Sequence, residues 1–439
     1  MQAINKEKRK KMKRILFIII TAAACFNATA QSLMTLKDCY ELALVNNALA
    51  GEKQAYSNIS RLKDENIFKG WMPVIDASAN AVYNSSVVDF SAATAAVPGM
   101  ASAFSPMPRD QYKITLDINQ TFYDGGAIKN ARAMEQAELK LNEKQTEIDE
   151  YKIKGEINSY YFNIILLNRQ KEILDNYLKL IEKKMAAMTS AISNGVRLSH
   201  DLDVLKSEKI SIEQQIAENV LRKKALMKIM SDMTGTEIND FTRFAVPTPE
   251  YGLNEELARP ELQMFDLKKE QLDAAIKMTQ TKRMPKAFGF ATVGYGYPPG
   301  QNFFANSFDA YYVLGAGIKW NIFDWDKTKN EKQVINIQRE IIENRKTDMT
   351  NNLKRALDAK MSEINSLTEM IKSDAELLEL KKRISQTAES QYDNGIITAA
   401  EYMTELNAEK NVAINSDIRK LKLALACVEY MNISGKDIE

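Results

Sequence analysis

Few residues in this chain could carry out chemistry, and their spacing joins them into no catalytic set. His200 is the only histidine among 439 residues, and the three cysteines are Cys25, Cys39 and Cys427. No Cys-x-x-Cys pair, no carboxylate cluster with metal-ligand spacing and no nucleophile elbow occurs. Hydrolytic and redox readings therefore have no residues to run on, and no catalytic, metal or cofactor site is expected. His200 sits beside a turn and could titrate near neutrality, but an exposed polar residue is the plainer reading. Met185 with Met188, and Met227 with Met230 and Met233, could offer thioethers to a soft metal. No histidine accompanies them, and helical core packing explains them equally. "VGYGYPPG" (293–300) has glycines but precedes no helical pattern, so it is not a phosphate loop.

What recurs instead is a turn. "SNGVRLS" (193–199) and "DNGIITA" (393–399) each place an Asn-Gly step between long polar segments with helical spacing, and their glycines stand 200 residues apart. "TFYDGG" (121–126) and "NIFDWD" (321–326) keep the same offset, as do "MTG" (233–235) and "ISG" (433–435). Upstream the offset is 212: Asn47 matches Arg259, Ala48 matches Pro260 and Pro73 matches Pro285. The halves are thus collinear except for 12 extra residues between Pro73 and Thr121, in an Ala/Ser/Pro-rich stretch. Loops absorb such length changes and packed elements do not.

The elements that must position these turns follow from periodicity. After a segment 1–30, the first repeat (31–235) reads as a helix, strands at about 73–83 and 112–123, a long helix at about 127–193 and a return helix at about 199–233. A connector (236–258) carries Pro247 and Pro249, and Pro260 follows just beyond it. The second repeat (259–439) reads as a helix, strands at about 286–297 and 311–323, a long helix at about 327–393 and a return helix at about 399–432. No proline interrupts either long helix, which at 1.5 Å per residue is roughly 100 Å. Ile157, Ile164, Leu178, Met185 and Ile192, with Tyr160, Leu167, Leu174, Ile181 and Met188, keep a heptad broken only at Lys171, which is coiled-coil patterning. Asp124 and Asp326 are candidate caps at the strand-to-helix corners.

The strands alternate. Ile114, Leu116, Ile118 and Phe122 share one side against Lys113, Thr115, Asp117 and Asn119; Leu314, Ala316, Ile318, Trp320 and Ile322 oppose Gly315, Gly317, Lys319 and Asn321. Phe288 and Phe290 fall on the polar side of their strand, against the pattern. Aromatics gather at both ends: Tyr83, Tyr112, Tyr295, Tyr297, Tyr311 and Tyr312 at the loop end, and Trp71, Phe122, Trp320, Phe323 and Trp325 at the helix end. Two such belts flanking about ten alternating residues suit the two interfaces of an outer-membrane barrel. Four strands cannot close a barrel, so copies must assemble.

The N-terminus points to export. "KEKRKKMKR", "ILFIIITAAAC" and "FNATAQ" are a basic region, a short apolar core and small residues before Gln31, a signal peptide cleaved after Ala30. Met12 is a possible alternative start, and Cys25 offers a lipidation site as the rival reading, with Ala22 where leucine is usual. Cys39 and Cys427 could pair in an oxidising compartment; two small buried thiols are the other reading. With 59 Lys+Arg against 58 Asp+Glu the net charge of +1 gives no bulk attraction to nucleic acid.

Taken in order, "FYDGG", "IFDWD", "RPEL" (259–262), "SNGVRLS" and "DNGIITA" resemble the TolC-like outer-membrane efflux family over nearly the whole chain. The resemblance implies a mixed α and β membrane protein, internally duplicated: a long α-helical coiled-coil barrel joined to a 12-stranded trimeric outer-membrane β-barrel with four strands per protomer. It implies a homotrimer fed by a periplasmic adaptor and an inner-membrane pump of the RND or ABC type, set in outer-membrane lipid, with a long periplasmic body. Asn194, Gly195, Val196, Arg197, Leu198 and Ser199, and Asn394, Gly395, Ile396, Ile397 and Thr398, then form the tips that meet the adaptor. Glu401 would stand in a ring of three carboxylates facing the pore, Asp201 holds the matching position in the first repeat, and Tyr392 could bond Asp201 of a neighbouring hairpin. Ile397 and Thr404 depart from the family pattern, which often has a polar or basic residue at the first position and a second acid at the other. A periplasmic adaptor or poreless coiled-coil scaffold is the alternative; it would carry one hairpin and no duplicated strand pair.

Overall fold

The computed structural model describes residues 33–88, 106–194, 199–247, 256–302 and 305–436. The proposed signal segment, with Cys25, lies outside them, as do Gly195, Val196, Arg197 and Leu198. The chain forms two compact units that cut across the repeats: residues 51–147 with 260–349, and the described parts of 1–50, 148–259 and 350–439. Each repeat therefore contributes to both units, which sequence periodicity alone does not reveal.

The first unit is built on a sheet. Helix α2 (Glu52–Phe68) leads to β2 (Val74–Tyr83) and β3 (Asp110–Tyr123); α5 (Pro260–Gln280) leads to β5 (Lys286–Tyr297) and β6 (Asp309–Lys319). The strands are antiparallel in the order β2-β3-β5-β6. Register sorts the side chains into two faces. Ile75–Ile118–Ala291–Leu314 and Ala77–Leu116–Val293–Tyr312 are rows of one face, whereas Asp76–Asp117–Thr292–Val313 and Ser78–Thr115–Gly294–Tyr311 are rows of the other. The polar face is laced by hydrogen bonds: the Thr292 hydroxyl donates to Asp117 at 2.6 Å, the Thr115 hydroxyl to Asp117 at 2.8 Å, and Ser78 and Thr115 lie 2.8 Å apart.

Phe288 and Phe290 do lie on the polar face, and their partners explain them. Phe288 pairs with Gly317 and Phe290 with Gly315. A Cβ at those glycines would fall 2.8 Å and 2.3 Å from the rings. The rings thus lie across bare backbone that would otherwise be open to solvent, the aromatic cover that stabilises glycine in strands. Tyr311 does the same over Gly294 and Gly300. It therefore stands on the face opposite Tyr312, which corrects its grouping with the apolar aromatics. β6 also stops at Lys319, short of the expected Phe323. Residues 320–323 are held instead by Trp320 Nε1 donating to the Arg283 carbonyl at 3.0 Å and the Arg283 guanidinium donating to the Ile322 carbonyl at 3.3 Å.

The second unit is helical. A short parallel pair, β1 (Leu33–Met34) with β4 (Arg243–Phe244), packs beside α1 (Leu36–Asn46). Helix α1 starts in a capping box in which Thr35 and Asp38 each satisfy the other's backbone N–H. The Tyr161 hydroxyl, fully buried, lies 2.9 Å from the Met34 carbonyl and 2.7 Å from that of Ala245, pinning this pair to the helices. The remainder is two hairpins. Helices α3 (Ala127–Ser193) and α4 (Ser199–Thr234) make the first; α6 (Lys327–Asp393) and α7 (Ala399–Ser434) make the second. Helices α3 and α6 begin in the sheet unit. Heptad residues Ile157, Ile164, Leu174, Ile181 and Met188 are buried in the helical cores, where Met227 and Met230 also pack. Cys39 and Cys427 are free thiols buried in separate clusters. Burial, with Asp38 nearby, pushes the Cys39 thiol up to about 12.

At the strand-to-helix corners Asp124 accepts hydrogen bonds from the backbone N–H groups of Gly126 and Ile128, as a cap should. In the second repeat Asp324 does this work for Thr328 at 3.0 Å, and Asp326 does not. Asp326 sits in the turn itself with φ of 59°. The cap thus keeps the 200-residue offset from Asp124, correcting the expectation that placed it at Asp326.

Candidate hairpin joint and membrane face

The helical unit concentrates its buried charge where the two hairpins meet. Lys184 on α3 is 8% exposed. Its ammonium donates to both Asp393 carboxylate oxygens at 2.8 Å and lies 2.8 Å from Glu389. Burial pulls this ammonium's pKa down, but the bonds to Asp393 and Glu389 outweigh it and leave it above the ordinary lysine value. The Tyr402 ring lies 5.9 Å from the same ammonium. Below it, Tyr392 and Tyr402 stack with centroids 5.2 Å apart and planes at 9°. The Tyr392 hydroxyl points at the Met188 sulfur, 3.9 Å away. A second joint runs in the opposite sense: buried Lys410 on α7 donates to Glu208 on α4 at 2.8 Å, and the Asn407 amide donates to the same carboxylate at 3.2 Å. Each hairpin therefore gives one buried lysine to carboxylates of the other. A charge this deep is tolerated only because it is paired.

The second tip is a tight reversal. Helix α6 ends at Asp393; Gly395 takes φ of 77°, its N–H donating to the Tyr392 carbonyl at 3.0 Å while Ile396 N–H donates to Gln391 at 2.8 Å. The 6→1 bond and the left-handed glycine are a helix C-cap. Asn394 donates to the Ser390 carbonyl, Ile396 is exposed, and Ile397 packs against the hairpin core. Thr398 caps α7 in a capping box with Glu401. The exposed Glu401 carboxylate accepts from the Thr398 N–H at 2.8 Å and from its hydroxyl at 3.0 Å, and these bonds hold it below the ordinary glutamate value. Beside it runs an open groove of about 720 Å³ lined by Leu380, Ile384, Ala388, Ile397, Glu401 and Glu405.

At the first tip, Asn194 closes α3 through Ser190, and Ser199 with exposed His200 opens α4; Asp201 is half-buried in its first turn. The candidate residues thus separate. Tyr392 belongs to the buried joint, Glu401 to an exposed cap, and Asp201 to the other hairpin. Lys184 and Lys410 were missed by sequence reasoning. Their signal was comparative: the positions 200 residues away carry Ile384 and Ile210.

In the sheet unit the apolar face is open to solvent. Ile75, Ile114, Leu116, Val293, Leu314 and Ile318 are all exposed. At its loop end Phe308, which the sequence did not single out, stacks on Tyr112, Tyr295 and Tyr297 with centroids 5.0–6.1 Å away. Tyr83 and Tyr312 are also exposed. At the other end Phe122, Trp320, Phe323 and Trp325 are exposed, the last two meeting edge to face at 4.8 Å. Trp71 is half-buried, its carbonyl accepting from Gln120 at 2.7 Å. Among the described residues no helix is long and apolar enough to cross a membrane.

Residues 68–223 match the family model described as outer membrane efflux protein. The chain resembles the TolC-like outer-membrane efflux proteins. Solved structures share its fold. CusC, whose structures concern conformational changes on folding and transmembrane channel formation, has a TM-score of 0.70 at 12% identity, over 92% of each chain. The CmeC outer membrane channel of Campylobacter jejuni has a TM-score of 0.65 at 14% identity, over 92% of this chain and 86% of its own. The MtrE outer membrane channel of Neisseria gonorrhoeae, solved in an open state, has a TM-score of 0.65 at 13% identity, over 91% and 89%. No curated protein sequence matches the chain. The efflux-protein resemblance is thus carried by sequence in the first repeat and by fold over nearly all the chain.

Proposed function

We propose that the chain is one protomer of a homotrimeric outer-membrane channel that passively conducts cargo from an inner-membrane pump and periplasmic adaptor to the outside. The observation that carries this reading is the exposed apolar face of the four-stranded sheet, backed by a polar, hydrogen-bonded face. Water offers no reason to expose such a face, and lipid does. Four strands leave two open edges, and edges in lipid must be paired. Three copies supply twelve strands with the polar face inward.

In this reading the aromatics at both ends of the sheet lie at the membrane interfaces, except Tyr311, which lines the lumen. Asn194–Ser199 and Asn394–Thr398 meet the adaptor. Glu401 contributes to a three-fold ring of carboxylates at the mouth, while Tyr392 stays in the buried joint within each chain rather than reaching Asp201. The ion pairs of Lys184 and Lys410 keep each inner hairpin against its own outer hairpin and hold the entrance narrow.

Purified protein in planar lipid bilayers tests the reading. Cation-preferring conductance from a trimer that fractionates with the outer membrane is expected. Recovery as a soluble periplasmic monomer without conductance would replace the channel with the scaffold alternative.

A further inference from the structure

We infer that the helix end of the sheet's polar face, where Lys286 and Lys319 oppose each other, is a binding site for soluble anions that carry a phosphate chain or several carboxylates. The inference rests on the channel reading, which turns this face inward, and adds to it a site opposite in sign to Glu401.

The strand register sets the two ammoniums together. Lys286 opens β5, Lys319 closes β6, and the two are direct partners across that strand pair. Alternation puts both on the polar face. Lys286 stands two residues before Phe288 and Lys319 two residues after Gly317, and those two are partners on that face. Both lysines are exposed, and among the described residues neither ammonium has an ion-pair or hydrogen-bond partner. Like charges directly opposite each other destabilise a sheet. Folding alone therefore disfavours this pair, and such breaches of local rules gather where a chain has a function to serve. A lysine on an edge strand guards it against mispairing. That accounts for Lys319 on β6, but not for Lys286, because β5 is paired on both sides.

Other charges of the same face are compensated in place. Asp76 and Asp117 are also direct partners. Asp117, however, accepts from the Thr292 hydroxyl at 2.6 Å and from the Thr115 hydroxyl at 2.8 Å. Lys113 shares a row with Asp309 across Gly296. Beside the lysine pair the next residues on the face, Phe288 and Gly317, offer no side-chain oxygen. The carboxylates of the adjoining corners are committed elsewhere. Asp124 accepts from the Gly126 and Ile128 N–H groups and Asp324 from that of Thr328, while Asp326 lies 3.8 Å from Lys329 and Glu331 2.7 Å from Lys282. An anion with several charged oxygens can accept from both ammoniums at once, which turns their repulsion into shared attraction. Three copies bring six ammoniums to one level of the lumen, and rings of lysine are how pores favour anions and phosphate.

Block by triphosphate tests this with the full-length protein in planar bilayers. Triphosphate in both chambers, at constant ionic strength, should reduce the parent's current. Lys286→Gln combined with Lys319→Gln should raise the half-blocking concentration by about tenfold or more, the effect of losing one charge-assisted contact. Lys113→Gln removes a lysine of the same face that has Asp309 in its row, and should leave the block unchanged. Because opposed ammoniums repel, the double variant should unfold at no lower denaturant concentration than the parent. Triphosphate should stabilise the parent and not the double variant. A conducting trimer that triphosphate blocks equally in parent and double variant, or does not block at all, overturns the inference and leaves the channel intact. Equal stabilisation of both proteins by triphosphate overturns it as well. A protein that forms no conducting trimer overturns the channel reading on which the site depends.

Discussion

The two strand-to-helix corners make the same turn with different residues. Gly125 and Gly126 take φ of 71° and 86°; Trp325 and Asp326, 200 residues on, take 53° and 59°. Left-handed backbone costs a non-glycine residue about 1–2 kcal/mol. The second corner accepts that cost twice because it has room: Trp325 is 84% exposed. The first has none, since a Cβ on Gly125 would stand 2.5 Å from the Met284 Cβ. Glycine is thus obligatory only where conformation and space both demand it. The second corner's strain is kept for an exposed tryptophan at the end of the apolar face.

Filling the crowded corner should have the largest effect. Gly125→Val adds overpacking against Met284 to left-handed strain and should destabilise the sheet unit by about 3 kcal/mol or more. Denaturant melts followed by tryptophan fluorescence measure it, as Trp71, Trp320 and Trp325 all lie in this unit. A loss below about 1 kcal/mol would mean that Met284 moves aside freely and that the corners do not differ in space.

Relieving the open corner should act in the opposite direction and more weakly. Trp325→Gly removes left-handed strain but adds unfolded-state entropy and loses the edge-to-face contact with Phe323. A gain of up to about 1 kcal/mol in detergent is expected, with poorer retention in vesicles because the interface loses an anchor. If stability falls by more than about 1 kcal/mol instead, packing rather than membrane contact keeps the tryptophan there.

The same contrast separates what sequence can and cannot show. Period-2 alternation at Ile114, Leu116 and Ile118 is local, so a strand with an apolar face is legible before any partner is known. The heptad through Ile157, Ile164 and Ile181 is local in the same sense. Phe288 and Phe290 looked out of phase because the glycines beneath them lie on another strand, about 30 residues away in sequence. Lys184 and Lys410 look like solvated helix lysines because their carboxylates belong to the other hairpin. Asp326 was mistaken for a cap because its spacing to the helix looks right, while the left-handed turn hands the task to Asp324. The two compact units were invisible because each is assembled from both repeats. Periodicity reports faces; it does not report which faces meet.

The tips repeat the comparison at its smallest scale. The inner tip places Thr398 and Glu401 in a reciprocal cap, whereas the repeat-equivalent of Thr398 is Leu198, a residue type without a hydroxyl. The Glu401 carboxylate is held below the ordinary value of 4.5 by the Thr398 backbone N–H first and its hydroxyl second. A lowered folded value means that the stabilisation is present above 4.5 and lost as pH falls through the folded-state value. Amide exchange at residues 398–401 should therefore accelerate below about pH 4.5, with no matching carboxylate-dependent change at the start of α4. Glu401→Gln retains an acceptor for the Thr398 N–H and should flatten this pH dependence while keeping the helix start ordered near neutrality. Thr398→Ala removes the hydroxyl, costs about 1 kcal/mol and should accelerate the same amides at every pH. If Glu401→Gln leaves the acid step in place, the titrating group is another carboxylate and the inner tip is held by something other than its cap.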